Sequence, residues 1–294
     1  MNNLFTLDFA SISHTDFARV GGKCASLGEM TQAGVAVPPG FAVTTDAYLA
    51  MLGDHGLAAE FSRHMIDLDP DNIDQVDRAA QAIRVRMRSH HMPAEVEAAI
   101  RTAYAAMGDD MPVAVRSSAT AEDLPDASFA GQQDTYLWVK GGDDVVAKVR
   151  DCWVSLFSTR AVAYREKNKI AHHDVLMSVG VQKMVNARAA GVAMSIDPLT
   201  GDRTKIVIDA SWGLGEMVVS GVVTPDNFTV EKVLEEIIGR KISDKHVELV
   251  GDAARGEAIE RDVPEERRRM QCLSDAEVVA VARLVKRLER QNKC

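Results

Sequence analysis

The residues best suited to chemistry lie in one stretch, residues 113–123. This stretch begins as a short apolar run and then places Arg116 before a cluster of small and hydroxyl side chains. A strand that ends in small polar residues leaves backbone N–H groups uncovered, and such concavities suit phosphate oxygens. The planar guanidinium of Arg116 also matches phosphate geometry. The same pattern fits a strand, a polar turn and a second strand over residues 135–139, with Arg116 in a surface ion pair.

Two glycine-containing segments could bring a ligand close to the backbone. Gly21 and Gly22 precede Lys23 at the start of a helical pattern, so the lysine could reach a phosphate. The spacing of a P-loop is absent, and the alternative is a solvated lysine at the start of a helix. Gly131 lies in a segment with several small residues, 127–132, that could close over a ligand.

Residues 179–185 form a short β-type run that could hold a purine ring. Such a ring needs an apolar slot and one or two hydrogen bonds to its edge. Met184 can pack on the ring because its thioether is soft and adaptable, and Gln182 can contact the nucleoside. A plain core strand explains the same run.

Residues 213–216 place two glycines beside Glu216. The glycines permit a tight loop near a ligand, and Glu216 could then contact that ligand directly. A structural hairpin is the alternative.

These motifs together resemble a known family. Residues 116–125 and 128–135 are similar to the nucleotide-binding domain of phosphoenolpyruvate synthase, a family that includes pyruvate phosphate dikinase, rifampicin phosphotransferase and the ATP-binding part of phenylphosphate synthase. Residues 21–30 resemble the opening motif of that family, and residues 213–216 resemble its Gly-Leu-Gly-Glu loop.

The resemblance implies an ATP site that needs Mg²⁺. Lys23 and Arg116 would neutralise the phosphates, which stabilises charge that develops during transfer. The other residues that the resemblance and the local patterns assign to nucleotide binding are Gly131, Thr135, Gln182, Met184 and Glu216.

The resemblance also implies a reaction. In the family, a histidine on a separate domain attacks the phosphate chain of ATP, and phosphohistidine, AMP and phosphate result. None of the eight histidines here lies in a motif that resembles the phosphorylated one. We therefore expect a histidine-bearing partner domain or subunit, which passes the phosphate to a small-molecule acceptor, either pyruvate or phenol.

One departure from the family concerns the region after residue 290. Relatives continue into a strand with an acidic residue beside a tryptophan and then a Gln-x-Arg element, and the 294 residues include neither. Because Mg²⁺ needs carboxylate ligands, we expect that the isolated chain cannot complete phosphoryl transfer. The alternatives are a second chain that completes the site, a non-catalytic nucleotide-binding regulatory subunit, and a truncated fragment.

Composition excludes several classes of function. The net charge of −9 disfavours nucleic-acid or anionic-membrane surfaces, since no basic excess offsets phosphates. No apolar run approaches the ~20 residues of a membrane span, and the first residues lack the pattern of a signal peptide. The four cysteines are far apart and predict reduced thiols, so we expect a cytoplasmic protein.

The histidine pairs at 90–91 and 172–173 do not predict a metal site. Adjacent residues of a helix point about 100° apart, and no pair of carboxylates completes either set.

The periodicity predicts an α+β fold. Residues 47–107 favour helices, and short β-type runs follow on both sides of an apolar helical stripe over 145–157. The resemblance implies an ATP-grasp-like domain whose two lobes, residues 1–110 and 111–294, clasp ATP. The predicted buried face of one helix consists of Ile73, Val76, Ala79, Ala80 and Ile83.

Overall fold

The α+β class is confirmed by a computed structural model, which describes residues 4–108, 110–120, 123–124, 127–128, 135–252 and 255–292. The helices of these residues are α1 Phe17–Gln32, α2 Thr45–Gly53, α3 Leu57–Met65, α4 Ile73–Ser89, α5 Ala94–Ala106, α6 Gly142–Ser155, α7 Thr159–Lys167, α8 Glu216–Val219, α9 Glu265–Arg268 and α10 Asp275–Asn292. The strands are β1 Thr6–Asp8, β2 Gly40–Val43, β3 Val113–Ala119, β4 Asp123–Leu124, β5 Ala127–Ser128, β6 Thr135–Val139, β7 Met177–Lys183, β8 Ala189–Met194, β9 Lys205–Trp212, β10 Asp226–Glu231, β11 Ile237–Lys241, β12 Val247–Asp252 and β13 Glu257–Asp262. None of the described helices is long and apolar enough to cross a bilayer.

Backbone contacts divide the chain into a first unit, Met1–Met184, and a second unit, Val185–Cys294. This division lies later in the chain than the lobe boundary expected near residue 110. The two lobes of an ATP-grasp-like domain stay a prediction.

A five-stranded antiparallel sheet with the order β1-β2-β7-β3-β6 organises the first unit. Side chains alternate between its faces, as in any strand. On one face, Val115 and Val181 join a large apolar core that includes Trp153 of α6 and Ile83 of α4. On the other face, Arg116 and Ser118 lie on the side of α1. The sheet therefore separates this core from the face on which Arg116 and Ser118 lie beside α1.

The helical predictions for this unit are confirmed with one correction. The stripe on α6 is buried as expected, and α2 to α5 lie within the region for which helices are expected, except for the first two residues of α2. On α4, Val76, Ala79, Ala80 and Ile83 are buried, but Ile73 is 56% exposed. Ile73 is the first residue of α4, so its side chain lies beyond the end of the core.

Buried polar groups join the helices of the first unit. Arg165 of α7 is buried, donates to the Leu156 carbonyl oxygen at 2.5 Å, and donates through Nε to Nδ1 of His172 at 2.9 Å. Burial lowers the pKa of this guanidinium to about 10. His172 Nε2 is also 2.6 Å from Glu166 Oε1, so both ring nitrogens of His172 have hydrogen-bond partners.

The second unit contains a four-stranded antiparallel sheet with the order β11-β10-β9-β8. Ile208 and Phe228 on one face of it pack against Val278 and Ala282 of α10. A capping box begins α10, because the Ser274 and Glu277 side chains accept from each other's backbone N–H groups, Ser274 from Glu277 at 3.3 Å and Glu277 from Ser274 at 2.7 Å.

A hairpin of β12 and β13 completes the second unit. Strand structure is interrupted between β11, which ends at Lys241, and β12, which begins at Val247. In this interruption Lys245 forms a fully buried ion pair with Asp226 at 2.5 Å.

A break in α1 at Gly21 brings this helix onto the sheet. Gly21 has φ 69° and ψ 171°, a combination that side chains other than hydrogen rarely permit. A Cβ at this position would lie 2.1 Å from the Ser118 carbonyl oxygen. Both the backbone angle and the close approach therefore require glycine.

Replacing Gly21 by alanine should lower the free energy of unfolding by about 3 kcal/mol or more, because strain and overlap with β3 add together. Gly141→Ala is the matched control, since Gly141 has φ 83° and ψ 143° and a Cβ there would meet no atom within 4 Å beyond its chain neighbours. This control should cost about 1–2 kcal/mol. Urea denaturation followed by circular dichroism measures both values, and equal losses would contradict the close approach.

Candidate functional site

A cavity of about 330 Å³ opens in the first unit where α1 faces β3 and β7. We call it the N-terminal cavity. Its wall includes Lys23 and Arg116, together with the apolar side chains of Phe9 and Met30 and the polar side chain of Gln182. The structure thus brings together three of the residues that the sequence predicts to be functional.

Ser118 on β3 bonds to the backbone of α1 on both sides of the break at Gly21. Its buried hydroxyl donates to the Val20 carbonyl oxygen at 2.8 Å and accepts from the Cys24 N–H at 3.1 Å. These two partners lie on either side of Lys23 and its glycine pair. Lys23 Nζ in turn donates to the Ser117 carbonyl oxygen at 3.3 Å. The lysine is therefore held against the strand that carries Arg116.

Arg116 lies in the middle of the sheet with its side chain exposed. Its neighbours across the strands are Gly180 on β7 and Thr135 on β6. A Cβ at position 180 would lie 3.0 Å from Cys24 Sγ, so the glycine lets α1 approach β7 beside Arg116. The register also brings Thr135 next to Arg116, as expected if both contact one ligand.

Gln182 lies near the C-terminal end of β7, and Met184 directly follows this strand. The Gln182 side-chain amide donates to the Pro38 carbonyl oxygen at 3.2 Å, which orients it at the cavity wall. The Met184 N–H donates to the Pro112 carbonyl oxygen at 2.9 Å, and its half-buried side chain is not among the residues that line this cavity.

Thr135 and Glu216 are also not among the described residues that line this cavity. Glu216 is the exposed first residue of the four-residue helix α8, in the second unit. Gly131 lies outside the described residues. Their roles stay predictions.

Phe9 and Ser118 also line the cavity, although the motifs did not predict either as a site residue. Ser118 belongs to the hydroxyl cluster after Arg116, so its type was a usable signal, but its partners are about a hundred residues away. Phe9 precedes α1 and carries no local signal for a site, because its place depends on how β1 pairs with β2.

The donor set of the N-terminal cavity suits an anion with an apolar body. The described residues that line it include the cations Lys23 and Arg116 and no carboxylate. Apolar walls lower the local dielectric and strengthen the attraction of a negative group to these cations. Among the described residues, no group of three or more His, Cys, Asp or Glu side chains could hold a metal ion.

Comparison with known proteins gives a consistent set of relatives. The chain matches the family described as pyruvate phosphate dikinase, AMP/ATP-binding domain, over residues 17–294. A probable phosphoenolpyruvate synthase of Methanothermobacter thermautotrophicus is 41% identical over 286 residues, which cover 96% of this chain and 41% of that protein. The phosphoenolpyruvate synthase of Aeropyrum pernix is 46% identical over 253 residues, covering 84% of this chain and 31% of that protein.

A rifampicin phosphotransferase of Bacillus cereus is also similar, with 38% identity over 291 residues that cover 99% of this chain and 33% of that protein. The chain thus spans less than half the length of each of these three relatives. The family resemblance predicted from the motifs is confirmed.

Ser118→Ala should lower the free energy of unfolding by about 1–3 kcal/mol, because it removes two buried hydrogen bonds at once. Ser117→Ala is the matched control: the neighbouring hydroxyl is equally buried and has no partner among the described residues. Its loss should change stability by less than about 0.5 kcal/mol or stabilise the fold. Thermal and urea denaturation of both variants test this, and a similar cost for the two would show that Ser118 does not hold α1.

Proposed function

Because the chain belongs to the family of pyruvate phosphate dikinase AMP/ATP-binding domains, we propose that its N-terminal cavity binds the phosphate chain of ATP. The observation that carries this proposal is the pairing of Lys23 and Arg116 in a cavity whose described lining has no carboxylate. A polyphosphate is the part of ATP that such a wall attracts most strongly.

Lys23 and Arg116 would act on the phosphates in different ways. The planar fork of Arg116 can donate two parallel hydrogen bonds and so orients a phosphate group. Lys23 is a point charge on a flexible stem, which suits it to follow charge that moves during transfer. Thr135, opposite Arg116 on β6, would donate its hydroxyl to the same group. Gly131 would leave space for the ligand beside the backbone.

The nucleoside would lie toward the end of β7. Gln182 is at the cavity wall and can bond a polar edge, while Met184 offers a soft apolar surface to the ring. In an ATP-grasp-like arrangement the second lobe would cover the nucleotide, and Glu216 would contact it from there. Mg²⁺ is expected to accompany ATP, because it neutralises phosphate oxygens and keeps much of its own water.

The proposed reaction is the ATP half of a dikinase-type transfer. A histidine of a partner domain or chain attacks the phosphate chain, and ATP, the histidine and water become phosphohistidine, AMP and phosphate. The cations of the N-terminal cavity would stabilise the negative charge of the transition state. The phosphohistidine then serves a small-molecule acceptor. The names of the relatives favour pyruvate, and phenol is the second candidate.

Arg116→Ala should weaken ATP binding about ten- to a hundred-fold, or roughly 1.5–3 kcal/mol, because it removes a charge-assisted contact. Titration calorimetry with ATP and Mg²⁺ measures this change. Arg78→Ala is the control, since Arg78 is an exposed residue of α4 and its loss changes the net charge equally. Unchanged affinity in Arg116→Ala would remove Arg116 from the site.

Lys23→Ala should impair turnover more than binding. Removing one group that stabilises transition-state charge lowers a rate by about a hundred-fold or more, whereas ground-state affinity should fall by less than about ten-fold. The assay supplies ATP, Mg²⁺, the histidine domain of a related phosphoenolpyruvate synthase and a chain that carries the acidic strand and the Gln-x-Arg element, and it follows AMP. Lys167→Ala, an exposed lysine of α7, is the control.

The two readouts separate the possible failures. Equal losses of affinity and turnover in Lys23→Ala would make Lys23 a plain binding residue. ATP binding without any AMP release, even when the chain that carries the acidic strand is present, would instead favour a non-catalytic nucleotide-binding function.

A further inference from the structure

The second unit contains its own cavity, of about 630 Å³. Its wall is formed by residues 186–188 before β8, by the end of β9, by the hairpin of β12 and β13, and by the segment of α9. We call it the arginine cavity, because Arg188, Arg261 and Arg267 line it. All of its lining residues lie in the second unit, so it is built from different residues than the N-terminal cavity.

The described wall of the arginine cavity carries an excess of positive charge. Its three arginines face a single acidic residue, Glu248, whose side chain is only 2% exposed. The chain as a whole has a net charge of −9, so this concentration of cations is opposite to the general trend. A cation-lined concavity raises the local concentration of anions.

Glu248 cannot satisfy the guanidinium groups around it. Arg261 Nε donates to Glu248 Oε1 at 2.9 Å, and Nη1 of Arg267 lies 3.5 Å from the same oxygen without forming a hydrogen bond. A guanidinium has five N–H donors. Among the described residues, the Arg261 guanidinium has no hydrogen-bond partner other than Glu248, and the Arg267 guanidinium has none. Most of their donors are thus available to a ligand.

Other contacts hold two of the arginines in place, and those of Arg188 use some of its own donors. Arg188 donates to the Cys272 carbonyl oxygen at 2.8 Å and to Glu277 at 2.7 Å. The Arg267 guanidinium lies 4.5 Å from the ring centre of Trp212, whose indole N–H donates to the Arg267 carbonyl oxygen at 3.2 Å. A ligand would therefore meet groups whose conformational freedom is already reduced.

We propose that the arginine cavity binds a small organic anion that carries at least two negative charges, as phosphate or carboxylate groups. Its volume lies within the range of about 300–1,000 Å³ that is typical of small-molecule sites. Guanidinium forks recognise both phosphate and carboxylate, so the two anion types share one chemistry. The opposing interpretation is a purely structural clamp, in which two arginines do no more than hold Glu248.

The test measures binding of two probes, inorganic pyrophosphate and citrate, by titration calorimetry at matched ionic strength. Arg261→Ala should weaken binding about ten-fold or more, because it removes charged N–H donors that do not bond to Glu248. Arg261→Lys, which keeps the charge and loses the fork, should have an affinity between those of the unaltered chain and Arg261→Ala. Circular dichroism checks that each variant is folded, and Arg267→Gln replaces Arg261→Ala if the latter unfolds.

Two controls define the site. Arg268→Ala removes an equal charge from a neighbouring guanidinium that is bonded to Asp244 at 2.7 and 3.0 Å and does not line the cavity. It should leave affinity within about two-fold of the unaltered chain. Arg116→Ala, in the first unit, reports any binding of the probes at the N-terminal cavity and should not alter the component that Arg261→Ala removes.

Binding of pyrophosphate alone would assign phosphate-bearing ligands, binding of citrate alone carboxylates, and binding of both a general anion site. The proposal is overturned if neither probe binds, if Arg261→Ala leaves affinity unchanged, or if Arg268→Ala weakens binding as much as Arg261→Ala does. It is also overturned if Arg116→Ala alone abolishes all binding, since the probes would then occupy only the N-terminal cavity.

Discussion

The attachment of α1 to β3 through Ser118 is the constraint on which the N-terminal cavity depends. One hydroxyl bonds the backbone on both sides of the break in the helix, at Val20 and Cys24. The break itself is possible only because Gly21 tolerates a positive φ against the Ser118 carbonyl. This arrangement holds the backbone on both sides of Lys23 against β3, the strand that carries Arg116. Local backbone chemistry thus sets the spacing of the two cations.

The alternation of β3 explains how one strand serves both stability and a binding site. Val113 and Val115 on one face of β3 pack in the large core, and Arg116 and Ser118 on the other face lie on the side of α1. A shift of register by one residue would exchange these faces and bury the arginine. The apolar core therefore fixes the orientation of the polar groups. The stability of the first unit and the geometry of its cavity rest on the same pairing of β3 with β7.

How far sequence predicts this structure depends on how local each signal is. The stripe on α6 and the capping box of α10 were predictable because periodicity and capping act within a few residues. Lys23, Arg116 and Gln182 were identified from short motifs, and the fold brings them to one cavity. Phe9 was missed and Ile73 was wrongly assigned to the core, since strand pairing and the end of a core depend on distant residues.

The second unit contains two buried carboxylates, Asp226 and Glu248, whose surroundings differ. Only the surroundings of Glu248 support the proposal of a ligand. Asp226 is fully buried and accepts from Lys245, from the Ser243 N–H and from the Cys272 N–H, so both of its oxygens are engaged. Burial, with Asp226 nearby, raises the pKa of the Cys272 thiol to about 12, which keeps it neutral beside that carboxylate. The buried polar groups around Asp226 therefore satisfy one another's hydrogen bonds without a ligand. Around Glu248, one carboxylate oxygen lies near two guanidinium groups, and the cavity beside them has space for the proposed anion.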